Sequence, residues 1–513
     1  MLTVLAEIER RIRDSHYFRF GFFFWFGILF FLPCLYLLAN VHQTFATMEE
    51  ANMAYYISRE GGFATAKRLY DQYTSEGWNR HHFLGLFWDI LILSIHGMPR
   101  ALRLMRLFEI GLISGVLGTL LFPTLRNVSV RISVLFSTCL ISIILFSMPL
   151  AISYAAIYEL EGCILALVSL ALFLDSGRIR YLGFLPLFAL LITKETFVPV
   201  GIGIAFFVLI REYFPSRKTR DRRFLASLFG SIILMSFALY YYWSLSKTGS
   251  YAGHYGSPIE SLPALLKWKL GIEISVIEFF VSFGLILVGL MVLVILSRTF
   301  RLKILIGLNS SFGIGVLFLV LSEGYRFMVY PWIKEDPFAY YYLPCWVFST
   351  LGFGFMVASI LSAYFKKYLK MKYVQLAFVT VLSFGILVNA KGANYDLFLA
   401  GKERIEHMKL LEVLDQVSNL SPDGKIAAYP IFSEGIIRLS ESNQVLRGAS
   451  RPFQFQSYDD FSLLKSCWEN FKCNFALIEK FDPEVKDFFA SQKNTVTIKL
   501  GLYRLFIRSS SSE

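Results

Sequence analysis

The stretch ERRIRDSHYFRFGFFFWFGILFFLPCLYLLANV, residues 9–41, decides the fold. A cluster of arginines runs directly into a segment with no charge from Phe20 to Val41. About 20 apolar residues are what a helix needs to cross the hydrocarbon of a bilayer. A basic flank before such a run marks the cytoplasmic side. No small-residue cleavage site follows the run, so it reads as a retained span rather than a signal peptide.

The same pattern recurs along the 513 residues. Further candidate spans lie at 107–123, 131–148, 156–174, 180–193, 196–211, 224–244, 275–297, 303–322, 340–363 and 372–390, about eleven in all. The fifth and sixth are short and also read as one re-entrant hairpin. RNVSVR, SGRIR, REYFPSRKTRDRRF, SRTFRLK and KKYLKMK fill alternate loops. With that number of spans they all fall on the side of the N-terminus, which is therefore the cytoplasmic one.

Composition agrees. Hydrophobic residues are 55% of the chain and charged ones 17%, and mean hydropathy is +0.54. A multi-span membrane protein has such values and a soluble domain rarely does. The net charge of +12 does not point to nucleic acid, because its basic residues sit in short clusters between apolar runs. No nucleotide-binding motif is present.

The long segments fall on the other side: 42–106, 245–274, 323–339 and the tail from about 391. Within the first, HHFLGLFWDILILSIHG (81–97) is apolar but too short and mixed to span, and reads as an interfacial helix. In the tail, KIAAYP, NFALIEK and TVTIKLGLYRLFIR read as strands. EHMKLLEVLDQVSNL, DDFSLLKSCWENF and DPEVKDFFASQ read as helices. The expected organisation is a cytoplasmic N-terminus (1–19), a polytopic helical membrane module (20–390) and a small extracytoplasmic α/β domain (391–513).

The six cysteines have no metal-ligand spacing. Cys34, Cys139, Cys163 and Cys345 lie in apolar runs as small core residues. Cys467 and Cys473, in the tail, are placed to form a disulfide if that tail faces an oxidising compartment. The sequons at Asn127 and Asn309 fall on or near the inner side and carry no expectation.

Ionisable residues gather near the outer ends of the spans. Glu49 and Glu50 follow the first span. Arg80, His81 and His82 precede the interfacial helix. Glu159 and Glu161 begin the fourth span, and Lys194 and Glu195 lie at the tip of the short hairpin. Arg326, Lys334, Glu335 and Asp336 precede the tenth span. The midplane is nearly empty of charge, whereas a transporter more often carries ionisable or helix-breaking features at mid-depth. A carboxylate beside cations at a lipid surface suits sugar transfer from a lipid phosphate. The carboxylate takes the acceptor hydroxyl's proton, and the cations hold the leaving phosphate.

MEEANMAYYISREGG (48–62) resembles the first-loop signature of the GT-C membrane glycosyltransferases, and residues 80–113 resemble their next segment. LLITKETFVPV (190–200) resembles their Thr-Lys hairpin, and AYYYLPCW (339–346) their late Tyr-Leu-Pro span. The nearest resemblance is to bacterial relatives of protein mannosyltransferases and to the lipid A aminoarabinose transferase. The resemblance implies a GT-C-like fold and an inverting hexosyl or pentosyl transfer from a polyprenyl-phosphate sugar to a lipid, glycan or protein acceptor in the plasma membrane.

By the same resemblance Glu49 is the base and Glu50 its helper. Arg80, His81 and Lys194 hold the donor phosphate, and His82, Glu161 and Tyr341 are secondary candidates. A divalent metal is permitted on Glu49 and Glu50, and no other cofactor is implied. The chain departs from the pattern in having Glu49 for aspartate and His82 and Phe83 for two prolines. Ile157 and Tyr158 lie where an arginine is common. Two rival readings are a non-catalytic envelope-assembly scaffold on the same fold and a transporter or flippase for a lipid-linked sugar. Without a resemblance, Glu49 is equally a helix cap, Arg80 and His81 interfacial anchors, Lys194 a snorkelling partner of Glu195, and Tyr341 part of an aromatic belt.

Overall fold

The computed structural model describes residues 2–31, 48–75, 83–96, 99–126, 128–146, 148, 158–175, 178–213, 222–247, 310–335, 343–364, 368, 371–418, 425–429, 454–457, 460–470, 472–479, 483–492, 494–500 and 503–508. The candidate span at 275–297 lies outside them, as do Cys34, Asn127 and Asn309.

The helices run α1 (Leu2–Asp14), α2 (His16–Phe30), α3 (Met48–Glu60), α4 (Gly62–Ser75), α5 (Phe83–His96), α6 (Pro99–Leu125), α7 (Val130–Phe146) and α8 (Tyr158–Leu174). Then come α9 (Phe184–Thr193), α10 (Val198–Tyr213), α11 (Arg222–Lys247), α12 (Ser311–Glu335), α13 (Leu343–Tyr364) and α14 (Lys372–Ser418). Among the described residues, four stretches are long and apolar enough to cross a membrane: Ala101–Leu125, Ser311–Val329, Leu343–Tyr364 and Tyr373–Leu399.

One apolar core joins α1, α2, α6, α7, α8, α9, α10, α11, α12, α13 and α14. Glycines set how closely the helices approach. A Cβ on Gly27 of α2 would lie 2.3 Å from Ser114 Oγ of α6. Where α12 crosses α13, a Cβ on Gly315 would lie 2.7 Å from the Gly352 carbonyl oxygen. The two backbones touch there, the use membrane helices make of small residues.

Two boundaries differ from the sequence expectation. The ninth span was expected at 303–322 and the helix is Ser311–Glu335, so Arg326 lies inside a helix rather than in a loop. Glu323 and Arg326 look like a span end in sequence. In the helix they are an i,i+3 pair 3.8 Å apart, on a turn whose other side buries Tyr325, Met328 and Val329. The last span was expected to stop at 390, but α14 continues unbroken for 47 residues, about 70 Å at 1.5 Å per residue.

The far end of that helix reaches the tail. β1 (Lys425–Tyr429), β2 (Gln454–Ser457), β3 (Phe475–Glu479), β4 (Thr495–Leu500) and β5 (Tyr503–Arg508) form one sheet in the order β2-β1-β3-β5-β4. β1 is parallel to β2 and β3, while β5 is antiparallel to β3 and β4. Side chains alternate between the faces of a strand. One face, with Ala427, Ala476, Ile478 and Phe506, is covered by α15 (Phe461–Glu469) and α16 (Pro483–Ser491) through Leu464, Trp468, Val485 and Phe489. The other, with Ile426, Phe475, Leu477 and Leu505, packs against Val413. Val413, near the end of α14, thus packs on the sheet's second face. β2 had no strand signal in the sequence reading.

Candidate active site

Two carboxylates open α8, an otherwise apolar helix. Glu159 and Glu161 lie in its first turn, where the positive end of the helix dipole favours negative charge. At 3.6 residues per turn, residues two apart point about 200° apart. The two acids therefore meet different neighbours.

Glu159 meets Lys194. Helix α9 ends at Thr193, and Lys194 is extended at φ −160° and ψ 140° before a single turn of 3-10 helix at Glu195–Phe197. That break turns the lysine into the bundle, where Nζ donates a hydrogen bond to Glu159 Oε1. The ammonium also lies 5.9 Å from the centre of the Tyr158 ring. Both charged side chains are buried, and Thr193, Thr196, Phe197 and Tyr325 are buried as well. Lys194 sits at the negative end of the α9 dipole and Glu159 at the positive end of α8, so the backbone favours each charge where it stands.

Glu161 meets Arg106. In RLMRLFE, Arg103, Arg106 and Glu109 recur every third residue and share one face of α6. Arg106 donates from Nη1 to Glu109 Oε2 at 2.7 Å and to Glu161 Oε1 at 2.9 Å, and from Nη2 to Asp89 Oδ1 at 2.8 Å. Glu161 is 11% exposed, and Arg106, Asp89 and Glu109 are less so. Buried Arg103 adds a second positive charge on that face against three carboxylates. A guanidinium presents donors in a fixed planar fork and so can serve several carboxylates at once. One arginine thereby ties α5, α6 and α8 together.

The first loop is built onto this cluster. Met53 and Ala54 of α3 share a small core with Leu69 of α4, Ile90 and Leu93 of α5, and Leu102 of α6. Arg68 of α4 covers the Tyr56 ring at 4.2 Å and reaches Glu60 at 3.4 Å. Glu49 and Glu50 are the second and third residues of α3. The helix that begins with them therefore packs on α5, the helix that carries Asp89.

Of the residues singled out from sequence, Glu161 and Lys194 lie on two sides of the start of α8. Lys194 is held by Glu159, 35 residues away in sequence. Arg80, His81, His82 and Tyr341 lie outside the described residues, and so does Asp336. Lys334 and Glu335 are the last residues of α12. The sequence reading did not single out Asp89, Arg103, Arg106 or Glu109. The usable signal was three charged residues at a spacing of three in an apolar run, a helix-face pattern rather than a loop pattern. Among the described residues, no group of three or more His, Cys, Asp or Glu is arranged to hold a metal ion.

No family model matches the chain, and no curated protein matches it. Among solved structures, one similar chain is titled "Crystal Structure of ArnT from Cupriavidus metallidurans in the apo state". It shares 11% identity with this chain at a TM-score of 0.41, over 94% of this chain and 97% of that one.

Proposed function

We propose that this chain is an integral membrane glycosyltransferase of the GT-C class, moving a sugar from a polyprenyl-phosphate donor to a hydroxyl of a lipid, glycan or protein. The observation that carries this reading is the gathering of buried charge at one end of an apolar bundle. Ionisable groups inside a membrane protein are costly and mark function by default. Here Glu159, Lys194, Glu161, Arg106, Glu109 and Asp89 meet at the start of α8. The helix beginning with Glu49 and Glu50 packs on the same assembly.

In this reading Glu49 takes the proton of the acceptor hydroxyl. The hydroxyl oxygen attacks the anomeric carbon from the face opposite the phosphate. The carbon–oxygen bond to the phosphate breaks, and the polyprenyl phosphate leaves with the bonding electrons. Arg80, His81 and Lys194 balance its charge. Lys194 has three N–H donors, one of them on Glu159, and in this reading shares its charge between that carboxylate and the phosphate. The basic loops and the N-terminus face the cytoplasm, and the sheet-bearing tail faces outward.

One observation favours a second reading, a non-catalytic scaffold for envelope assembly. Lys194 and Arg106 already have carboxylate partners, and a structural ion pair needs no substrate. One experiment separates the readings. Envelope lipids, glycans and glycoproteins are compared by mass spectrometry in a deletion strain complemented with wild type or with Glu49→Gln. The transferase reading expects a product lighter by one sugar, restored by wild type alone. Restoration by Glu49→Gln would remove Glu49 as the base and leave the scaffold or transport reading.

A further inference from the structure

The tail holds a pair of thiols that the proposed transfer chemistry does not use. Cys467 lies in the last turn of α15, and Cys473 two residues before β3. Both are buried in the core of one face of the sheet. A backbone hydrogen bond links the end of α15 to the residue before Cys473. Helix α15 ends at Glu469, and the Lys472 N–H donates to the Cys467 carbonyl at 3.0 Å. This bond brings Lys472, three residues past the helix end, back against the third-last residue of α15. It draws the backbone next to Cys473 toward Cys467, and the two side chains lie, as free thiols, in one buried cluster. The strand is anchored on its far side as well. The Arg508 N–H donates to the Asn474 carbonyl at 2.9 Å, and the Arg508 guanidinium lies 4.7 Å from the centre of the Trp468 ring.

We propose that Cys467 and Cys473 are joined by a disulfide in the mature protein, a covalent staple between the end of α15 and the start of β3. The inference rests on the outward placement of the tail, because thiols facing the cytoplasm stay reduced. It does not depend on the transferase chemistry.

The step is ordinary thiol–disulfide exchange with a disulfide-bonded oxidoreductase of the oxidising compartment. One cysteine thiolate attacks a sulfur of that protein's disulfide, and a thiolate leaves. The second cysteine, deprotonated, attacks the resulting mixed disulfide. The two cysteines lose two protons and two electrons, and the oxidoreductase becomes a dithiol. The exchange takes place during folding, before the sheet closes over the sulfurs. In the folded chain, burial and the contact with Cys467 push the Cys473 thiol well above the ordinary range, so the thiolate needed for attack is scarce. The closed loop is short, so most of the effect is local positioning rather than chain entropy.

The test uses the full-length protein made in its own membrane. Cells are lysed under denaturing conditions with excess N-ethylmaleimide and no reductant, and the peptide carrying both cysteines is weighed. The expected peptide carries no maleimide and is lighter than the dithiol by two hydrogen atoms. It takes up two maleimides only after reduction. A peptide that carries two maleimides without reduction would overturn the proposal. A reporter fixes the reason. Leu463→Cys, at an exposed site on α15, is placed in a C467S/C473S background and treated with a membrane-impermeant maleimide. Labelling of intact cells with the native pair still free rejects the disulfide and keeps the outward tail. Labelling only after permeabilisation, with the pair free, rejects both. Neither result touches the Glu49→Gln comparison.

Discussion

Glu159 and Glu161 stand two residues apart on the first turn of α8 and belong to different ion clusters: Glu159 holds Lys194, and Glu161 holds Arg106. One turn of helix therefore couples the α9–α10 break on one side to the α5–α6 layer on the other. The physical cause is the helical rotation between i and i+2, together with a bundle that packs elements on both sides of that turn.

The first consequence concerns the Lys194–Glu159 pair. Removing one member strands the other as an unpaired buried charge, which costs about 3–5 kcal/mol. Lys194→Met and Glu159→Gln should each lower the thermal midpoint of the detergent-solubilised protein. Lys194→Met combined with Glu159→Leu should recover most of the loss, because a buried pair contributes little beyond its apolar replacement. A double variant no more stable than the singles would show that the two charges do not depend on each other.

For Arg106 the expected asymmetry is between charge and shape. Arg106→Lys keeps the charge but has no planar fork, so it cannot serve Asp89, Glu109 and Glu161 together. Both Arg106→Lys and Arg106→Met should loosen α5 from α6 and α8, by an amount comparable to breaking a buried pair, about 3–5 kcal/mol. Hydrogen exchange of the α5 amides reads this directly. Arg106→Lys should exchange faster than wild type, and protection equal to wild type would remove the clamp.

At the α12–α13 crossing the expectation is steric. Gly352→Val puts a branched side chain where a Cβ would already lie 2.7 Å from Leu319 Cγ and 2.9 Å from the Gly315 carbonyl oxygen. Overpacking of this kind costs about 1–3 kcal/mol. Gly21 of α2 has nothing within 4 Å of its Cβ position, so Gly21→Ala should leave the midpoint near wild type. Equal losses at the two sites would contradict the close approach.

The tail carries a pH-dependent cap. Asp460 precedes α15, and its Oδ1 accepts the Ser462 N–H at 2.8 Å. This bond holds its carboxyl below the usual carboxylate range. A folded value below the unfolded one gives stability that is complete above the unfolded value and lost as pH falls through the folded one. The α15 amides should therefore keep their protection at neutral pH and lose some in acid. In Asp460→Asn, which cannot titrate, the acid loss from this group should disappear. An unchanged acid profile in that variant would assign the loss to another group.

The membrane class was legible in the sequence because burial in lipid is a composition requirement. A span must be apolar over about 20 residues, and each residue signals this without reference to any other part of the chain. The first span begins with uncharged residues from Phe20 onward, and residues 20–30 indeed lie in α2. The strands at Lys425–Tyr429 and Phe475–Glu479 were legible for a similar reason, their apolar and β-branched content. Gln454–Ser457 was not, because QFQS has little such content and pairs with β1 at the sheet edge.

What the sequence by itself determined, then, is the apolar, membrane class of the chain and where charged residues cluster along it: Glu49 and Glu50, Glu159 and Glu161, Lys194. Only the tertiary structure decided who holds whom. Lys194 has Glu195 beside it in sequence and Glu159 beside it in space, and Arg106 finds Asp89 and Glu161 on two other helices. An ion pair is settled by distance and desolvation, which depend on how helices pack and where α9 breaks, and no local pattern of residues contains that information.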